Sequence, residues 1–315
     1  MTMASPTVLV VGNSALELTL NMASYPKAGE TVFDDGGIAY LPTGAGAEMA
    51  SAFSALGVRS VFLSRLGRDA HGKKLFDYYK SLGIDTSQIK VDPEKATGCS
   101  VCMQAGGEAP RRVVYHGASL NISEQNVCEA FDAVRPDAVF LTFDAPLSLL
   151  ETVANEAYRR AIPIFADPAS SADFPFEKLP PLEVFFPNEK ETERYTGVLP
   201  QGVDVSLRAS LTLFRKIRTK YLILKMGSRG SFFYDGKRCD VVAPPPGVKV
   251  LPTASGLGAI YCASFVVCYL GGAQIKACMK YATASASLLG SRGGDMHSFP
   301  TSAEILDFCR QHQIG

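Results

Sequence analysis

The chain has 315 residues, and its 31 lysine and arginine residues balance 31 aspartate and glutamate residues, so its formal net charge is zero. A balance this even gives no general attraction to nucleic acid or to an anionic membrane surface. The longest apolar run, around residues 263–270, is far shorter than the roughly 20 residues that cross a bilayer, and the first residues lack the pattern of a signal peptide. We therefore expect a soluble, cytoplasmic protein with no nucleic-acid or membrane partner.

Eight cysteines are scattered through the sequence, most of them in apolar stretches. A chain of this length can bury a core without disulfides, so we expect reduced thiols that pack as small hydrophobic side chains. Cys99 and Cys102 have the two-residue gap of a zinc-binding pair, but no second pair follows and the four histidines are far apart. The sequence therefore predicts no structural zinc site.

Strand patterns alternate with helical patterns along most of the chain. Apolar runs typical of buried strands cover residues 7–11, 60–64, 138–142, 162–166, 184–186 and 221–225. Helical periodicity covers residues 47–56, 72–82, 147–160, 189–195 and 207–217. This alternation predicts an α/β fold of the doubly wound type, in which helices cover a mostly parallel sheet.

Two segments interrupt this alternation. Residues 29–41 and 98–115 carry β-branched and aromatic side chains around the turn signals Asp35-Gly36-Gly37 and Gly106-Gly107, a pattern that predicts two hairpins. Strands inserted into an α/β domain can form a small sheet over the mouth of the main sheet, where ligands bind. We expect a single domain over residues 1–315, with a β-sheet lid formed by segments of about 13–42 and 97–117.

Several short motifs follow one another in a fixed order. A glycine-rich turn opens a helix at Thr43-Gly44-Ala45-Gly46-Ala47-Glu48, with Gly57 and Gly67 further on. The later motifs are Pro26-Lys27-Ala28-Gly29-Glu30-Thr31 on the lid side, Asp167-Pro168-Ala169, Pro187-Asn188-Glu189-Lys190-Glu191 and Lys225-Met226-Gly227-Ser228-Arg229-Gly230. Over nearly the whole chain they resemble the signatures of the ribokinase-like (PfkB) carbohydrate kinases. The resemblance implies a three-layer ribokinase-like fold, ATP- and Mg²⁺-dependent phosphorylation of a sugar or nucleoside hydroxyl, and a homodimer that pairs through the lid.

On the nucleotide side, the resemblance assigns ATP binding to Lys225, Gly227, Ser228, Arg229, Gly230 and Asn188. Arg229 would meet a phosphate between two glycines that let the backbone approach closely, although a plain hairpin turn also explains these glycines. Asn188 and Glu191 lie on one side of a helix start, where an amide and a carboxylate can hold Mg²⁺ through water. A helix start capped by a carboxylate is the alternative interpretation.

The motif that should carry the chemistry is altered. In the family, Asp-Thr-x-Gly-Ala-Gly-Asp opens a helix, its turn points backbone N–H groups at the transferring phosphate, and its last aspartate takes the proton from the sugar hydroxyl. Here the matching stretch is Pro252-Thr253-Ala254-Ser255-Gly256-Leu257-Gly258. Gly258 stands at the position of the base, and Pro252 replaces an aspartate that helps hold a monovalent cation in many relatives, which puts that cation site in doubt. No aspartate or glutamate occurs between Asp240 and Asp295, so no local shift of the alignment supplies another carboxylate.

The rest of this turn keeps part of an anion-binding site. Ser255 and Gly256 suit a close approach of phosphate to a helix N-terminus, which offers unpaired N–H groups. Leu257 replaces a glycine of the family motif. We expect its side chain to narrow or reshape the pocket.

The positions that face the sugar in the family depart from its pattern as well. The resemblance assigns substrate binding to Glu17, Thr43, Gly44, Glu48 and Asp144. Glu48 stands for an asparagine, and three carboxylates would face one cavity if the alignment is right. Only hydrogen-bond donors satisfy so many acceptors, so the group predicts a polyhydroxylated or cationic ligand, although each acid alone is also explained as a solvated surface residue.

A positioned general base contributes about 10²- to 10⁴-fold to a rate, and here the cation-site aspartate and the sugar-binding positions have changed too. The sequence therefore predicts a sugar-kinase scaffold, or pseudokinase, whose phosphotransfer is absent or severely impaired. The alternative is an active ATP-dependent carbohydrate kinase that uses a substitute carboxylate such as Glu48 or Asp144.

Overall fold

The structure, a computed structural model, describes residues 5–33, 37–105, 108–169 and 174–314. Within these ranges the strands are β1 (Thr7–Val11), β2 (Ala15–Met22), β3 (Ile38–Thr43), β4 (Arg59–Gly67), β5 (Ile89–Asp92), β6 (Cys99–Ala105), β7 (Arg111–Tyr115), β8 (Ala138–Thr142), β9 (Ile164–Asp167), β10 (Leu182–Phe185), β11 (Thr219–Lys225), β12 (Ser231–Tyr234) and β13 (Cys239–Val242). The α-helices of the same ranges are α1 (Ala45–Ala55), α2 (Ala70–Ser81), α3 (Glu124–Val134), α4 (Leu147–Arg159), α5 (Glu189–Thr196), α6 (Val203–Lys216), α7 (Leu257–Leu270), α8 (Ile275–Ser291) and α9 (Ser302–Gln311).

The large sheet has the strand order β13-β12-β11-β10-β9-β8-β1-β4-β5. Neighbours run parallel from β5 to β11, and β12 and β13 extend the sheet antiparallel. Near its centre, Val10 of β1 pairs with Phe62 of β4 on one side and with Phe140 of β8 on the other. All three side chains are fully buried, as expected for parallel strands covered on both faces. The predicted doubly wound, mostly parallel sheet is confirmed.

Helices cover both faces of this sheet and give the molecule three layers. On one face, α1, α2, α7, α8 and α9 enclose a core that contains Phe53 and Phe265. On the other face, α3 to α6 enclose a second core around Phe131. Alternate residues of β1 contribute to the two cores, Val10 to the first and Leu9 to the second, because successive side chains of a strand point to opposite faces.

Helix α7 is apolar on nearly all sides because it is buried between the sheet, α1 and α8. Phe265 in its middle packs edge-on against Phe186, with ring centroids 5.3 Å apart. This packing fixes the position of the helix N-terminus at the edge of the sheet. None of the helices in the described ranges is long and apolar enough to cross a membrane.

The small sheet has the order β3-β2-β6-β7. The predicted hairpin over residues 98–115 is confirmed, because β6 and β7 pair antiparallel from Cys99 with Tyr115 to Met103 with Arg111. The predicted hairpin over residues 29–41 is wrong, because β3 pairs with β2. β2 follows directly after β1 in the chain but belongs to the small sheet, and the sequence does not predict it as a strand. The turn residues Asp35, Gly36, Gly106 and Gly107 lie outside the described residues.

Candidate functional site

The predicted site residues gather at one edge of the large sheet, where its parallel strands end. Asn13 follows β1, Asp144 follows β8, Asp167 ends β9 and Lys225 ends β11. Helices α1 and α7 begin at the same edge, α1 against Asn13 and α7 beside Lys225. Ligands of open α/β sheets bind outside this edge.

Glycines place the start of α1 directly against the end of β1. Gly44 has a φ of 115°, and a Cβ there would lie 2.5 Å from the Asn13 carbonyl oxygen. A Cβ on Gly46 would lie 2.5 Å from the carbonyl carbon of Gly12, and one on Gly12 would lie 1.9 Å from Thr142 Oγ1. Close packing of backbones accounts for these glycines without a ligand, so the sugar contact of Gly44 stays a prediction.

The small sheet holds Glu17. Its carboxylate accepts hydrogen bonds from Arg112 Nε at 2.7 Å, from Arg112 Nη2 at 3.3 Å and from the Ser100 hydroxyl at 2.9 Å. The three residues come from the neighbouring strands β2, β6 and β7, and Arg112 compensates the charge of Glu17. Thr43 ends β3 in the same sheet, opposite Ala15 of β2.

Asp144 lies behind the end of β8, against the end of β1. Its Oδ1 accepts a hydrogen bond from the Thr142 hydroxyl at 2.7 Å and from the Asn13 backbone N–H at 3.4 Å. Burial raises the pKa of Asp144, while the hydrogen bonds and the nearby His116 oppose the rise.

Glu48 lies in the first turn of α1 and is half-buried. Burial, followed by the charge of Asp144, raises the pKa of Glu48 from 4.5 to about 7; Asp167 and Glu17 act in the same direction and Arg112 opposes them. No described residue donates a hydrogen bond to the Glu48 carboxylate. The structure therefore brings the three predicted carboxylates close enough to act on one another.

Helix α7 begins without a side-chain cap. Gly256 precedes it with a φ of 68°, and a Cβ there would lie 2.9 Å from the Phe299 ring. Ser255 is exposed and donates its backbone N–H to the Gly294 carbonyl at 3.0 Å. The Leu257 side chain packs against the core, so its predicted effect on the pocket stays a prediction. A helix start of this kind leaves backbone N–H groups that can bind an anion.

A carboxylate lies near the tip of α7, and the sequence does not predict it as part of the site. Asp167 forms an ion pair with Lys225, and the Cys262 thiol lies 3.5 Å from its Oδ2. A Cβ on Gly258 would lie 3.6 Å from Lys225 Nζ. The group next to Gly258, where the family has its catalytic aspartate, is thus the ammonium of Lys225, which forms the ion pair with Asp167.

This ion pair is buried within the molecule. Burial alone would lower the pKa of Lys225, but the charge of Asp167 raises it well above its usual value, so the amine is protonated. Burial raises the pKa of the Cys262 thiol well above its usual value, so the thiol is neutral. A sequence signal for Asp167 existed, because it ends a buried strand at the same edge as Asp144.

Asn188 and Glu191 form a capping box at the start of α5. Asn188 Oδ1 accepts the Glu191 backbone N–H at 2.9 Å, and Glu191 Oε2 accepts the Asn188 backbone N–H at 2.7 Å. The part of the chain that the structure describes contains no group of three or more side chains arranged to hold a metal ion. The structure shows both side chains as a helix cap, and their predicted water-mediated contact with Mg²⁺ stays a prediction.

The turn between β11 and β12 contains two glycines with different surroundings. A Cβ on Gly230 would lie 1.9 Å from the Val242 carbonyl oxygen, and its φ is 86°, so the turn itself requires glycine. A Cβ on Gly227 would meet no atom closer than 3.8 Å, and Ser228 beside it is exposed. Gly227 and Ser228 therefore present an open face, which leaves room for the predicted nucleotide.

Arg229 in the same turn is already engaged. It forms an ion pair with Glu189 at the start of α5 and donates a hydrogen bond to the Pro200 carbonyl at 2.8 Å. Its predicted contact with a phosphate would require it to leave Glu189. Pro252, where the family pattern has the cation-site aspartate, is exposed in the loop before α7.

Comparisons with known proteins identify the family and agree with this fold. The model of the pfkB family carbohydrate kinases matches residues 5–302, so the chain belongs to this family. It is 27% identical over 311 residues to a ribokinase of Arabidopsis thaliana, a match that spans 96% of this chain and 80% of the relative. It is 25% identical over 304 residues to a ribokinase of Haemophilus influenzae, spanning 96% and 98% of the two chains.

Solved structures show the same fold. The structure of Arabidopsis thaliana ribokinase complexed with ribose and ATP matches with a TM-score of 0.83 at 24% identity, over 97% of this chain and 99% of that one. A ribokinase structure from Giardia lamblia matches with a TM-score of 0.85 at 21% identity, over 98% and 99%. The ribokinase-like fold expected from the motifs is confirmed.

Proposed function

We propose that this chain binds a nucleotide and a small polyhydroxylated ligand at the carboxyl edge of its large sheet, and that it transfers phosphate slowly or not at all. One observation carries the proposal: Gly258 presents a hydrogen atom where the family motif has a proton acceptor, and the group beside it is the ammonium of Lys225.

The binding half of the proposal rests on groups that remain in place. The uncapped start of α7 and the Lys225 ammonium both favour an anion such as a phosphate group. The ribokinase of Arabidopsis thaliana, which has the same fold, was solved in complex with ribose and ATP. The carboxylates of Glu17, Glu48 and Asp144 supply acceptors for a ligand rich in hydroxyl groups.

Phosphate transfer is slow or absent because the site lacks a group that accepts the proton of the attacking hydroxyl. The attacking hydroxyl must lose its proton as its oxygen bonds to phosphorus, and a positioned base lowers that barrier by about 3–5 kcal/mol. The Lys225 ammonium already carries its proton and cannot take another. Phosphoryl transfer also depends on positioning and charge, so binding alone leaves only slow turnover.

A specific observation supports a second candidate, an active kinase with a relocated base. Asp167 lies near the tip of α7, closer to the altered motif than the sequence suggests, but it must release Lys225 before it can accept a proton. Glu48 is about half ionised near pH 7 and belongs to the same electrostatic group. Asp144 is the third carboxylate that could act as the substitute base.

The test is ADP formation by the full chain with ATP, Mg²⁺ and a panel of pentoses, ketohexoses and nucleosides, beside calorimetric binding of ADP. We expect ADP to bind and turnover to be at least about 10²-fold below that of a ribokinase under the same conditions. Turnover at the ribokinase rate would overturn the proposal. If that turnover disappears in Asp167→Asn or Glu48→Gln but not in the exposed control Asp77→Asn, the second candidate holds.

Three further expectations stay predictions. A homodimer through the small sheet is supported by exposed apolar side chains on its outer strands, Tyr40 on β3 and Val113 and Tyr115 on β7. A magnesium requirement follows from the use of ATP and not from the capping box. A cytoplasmic location rests on the sequence alone.

A further inference from the structure

We propose that the group of acids at Glu17, Glu48 and Asp144 selects a ligand that carries a protonated amino group, such as an amino sugar, and that Glu48 is the residue that selects it. The inference rests on the proposed function, because it assumes that the small ligand binds at the carboxyl edge of the large sheet. It goes further in naming the charge of that ligand.

Charge compensation separates Glu48 from two neighbouring acids. Arg112 bonds to both carboxylate oxygens of Glu17, at 2.7 and 3.3 Å. Lys225 forms an ion pair with Asp167. Each of these two carboxylates therefore already has a cation beside it, so neither is left to attract a cationic ligand.

Asp144 is compensated in a different way. In the described ranges it forms no ion pair, but its Oδ1 accepts hydrogen bonds from the Thr142 hydroxyl at 2.7 Å and from the Asn13 N–H at 3.4 Å. His116 lies near enough to stabilise its charge. Glu48 has neither an ion pair nor a hydrogen bond from any described residue, although it is half-buried beside Asp144.

The position of Glu48 is fixed. Its backbone N–H donates to the Gly44 carbonyl at 2.9 Å, and the glycine contacts at Gly44 and Gly46 lock the first turn of α1 against β1. These contacts hold the backbone of Glu48 in place at the edge of the sheet. A carboxylate held half-buried beside a second acid is either partly protonated, as the raised pKa of Glu48 indicates, or stabilised in its ionised form by a donor that brings positive charge.

An ammonium group meets this requirement better than a hydroxyl group. A hydroxyl donates one hydrogen and carries no charge, whereas an ammonium donates three and is positive. The family pattern has an asparagine where Glu48 stands, and an amide both donates to and accepts from neutral hydroxyls. Replacing it with a carboxylate removes the donor and adds a negative charge, which changes the class of ligand that fits.

The test compares sugars that differ only in one amino group. Calorimetry at pH 7 measures binding of D-glucosamine, D-galactosamine and 1-amino-1-deoxy-D-fructose, each against its hydroxyl parent, and of N-acetyl-D-glucosamine as the uncharged analogue. We expect at least one of the three amino sugars to bind at least ten-fold more tightly than its hydroxyl parent. D-glucosamine, if it is that sugar, should also bind at least ten-fold more tightly than N-acetyl-D-glucosamine. In Glu48→Gln this preference should disappear, while in Glu129→Gln, which removes the same charge from exposed helix α3, it should persist.

Two results would overturn the inference: no amino member binds the intact chain, or the amino preference survives in Glu48→Gln. Calorimetric binding of ADP to the same preparations separates this failure from failure of the proposed function. ADP binding without amino-sugar binding removes only the present inference. Amino-sugar binding that depends on Glu48, without ADP binding, supports the inference and removes the nucleotide half of the proposed function.

Discussion

The ion pair between Lys225 and Asp167 lies beside the tip of helix α7, next to Gly258. Taking two charges out of water is costly, and their attraction offsets this cost only while both are present. Removing either partner alone leaves a buried charge without compensation. The pair therefore fixes the electrostatics at the position of the missing base, and a side chain introduced at position 258 will meet a cation first.

Glu48 makes the stability of the fold depend on pH. Its folded pKa of about 7 is higher than the 4.5 of the unfolded chain, so its protonation stabilises the folded state below about pH 4.5, and this contribution is lost as the pH rises through 7. Glu48→Gln should be more stable than the unaltered chain at pH 8, by at most about 3 kcal/mol and about half of that for a half-buried side chain. Urea unfolding at pH 5 and pH 8 measures the difference, which should be about four-fold smaller at pH 5 than at pH 8.

Glu129→Gln, on the exposed face of α3, is the control for this effect and should change stability equally at both pH values. A Glu48→Gln effect of the same size at pH 5 and pH 8 would contradict the assignment of a raised pKa to Glu48.

Among single residues, the sequence predicted the group of Glu17, Glu48 and Asp144 only through the family resemblance, which aligns them with positions that face the sugar. It did not predict the pairing of Asp167 with Lys225. These residues are 58 positions apart, and their contact depends on β9 and β11 both flanking β10 in the sheet. Side-chain pairing across strands follows from the strand order, which no local pattern contains.

Among secondary-structure elements, strands buried on both faces were the most predictable. The predicted strands at residues 7–11 and 138–142 match β1 and β8 to the residue, because their apolar runs are continuous. β2 was missed because it follows β1 after a short connection, lies in the small sheet and is buried over only part of its length. Its pairing with β3 is antiparallel across a long connection, so turn signals near residue 35 favoured a local hairpin instead.

Glycine-to-alanine substitutions should have opposite effects on stability at the start of α1, which contacts β1, and at the start of α7. Gly46→Ala should destabilise the protein by about 1–3 kcal/mol or more, because its Cβ would lie 2.5 Å from the Gly12 backbone. Gly258→Ala should be neutral or stabilising by up to about 1 kcal/mol, because its Cβ would meet Lys225 Nζ at an ordinary 3.6 Å. Denaturant unfolding of both variants measures the contrast; equal effects would contradict the packing described here.

At the scale of the whole molecule, the alternation of strands and helices and the order of the motifs were enough to predict the fold. Composition was silent about the site, because a net charge of zero conceals a local excess of carboxylates at one edge of the sheet. The magnesium role of Asn188 and Glu191 could not be separated from capping by sequence, since both need the same residues at a helix start. The structure shows the capping box, and the magnesium role stays a prediction.

The most direct measurement is ADP formation by the unaltered chain, Gly258→Asp and Gly258→Asn, with ATP, Mg²⁺ and the same ligand panel. Lys225 would keep the carboxylate introduced by Gly258→Asp ionised and ready to accept a proton, while the asparagine has the same shape without that capacity. We predict that turnover rises by about 10²-fold or more in Gly258→Asp alone. A fully active unaltered chain, an equal gain in Gly258→Asn, or no gain in either variant would contradict the claim that the missing carboxylate limits phosphotransfer.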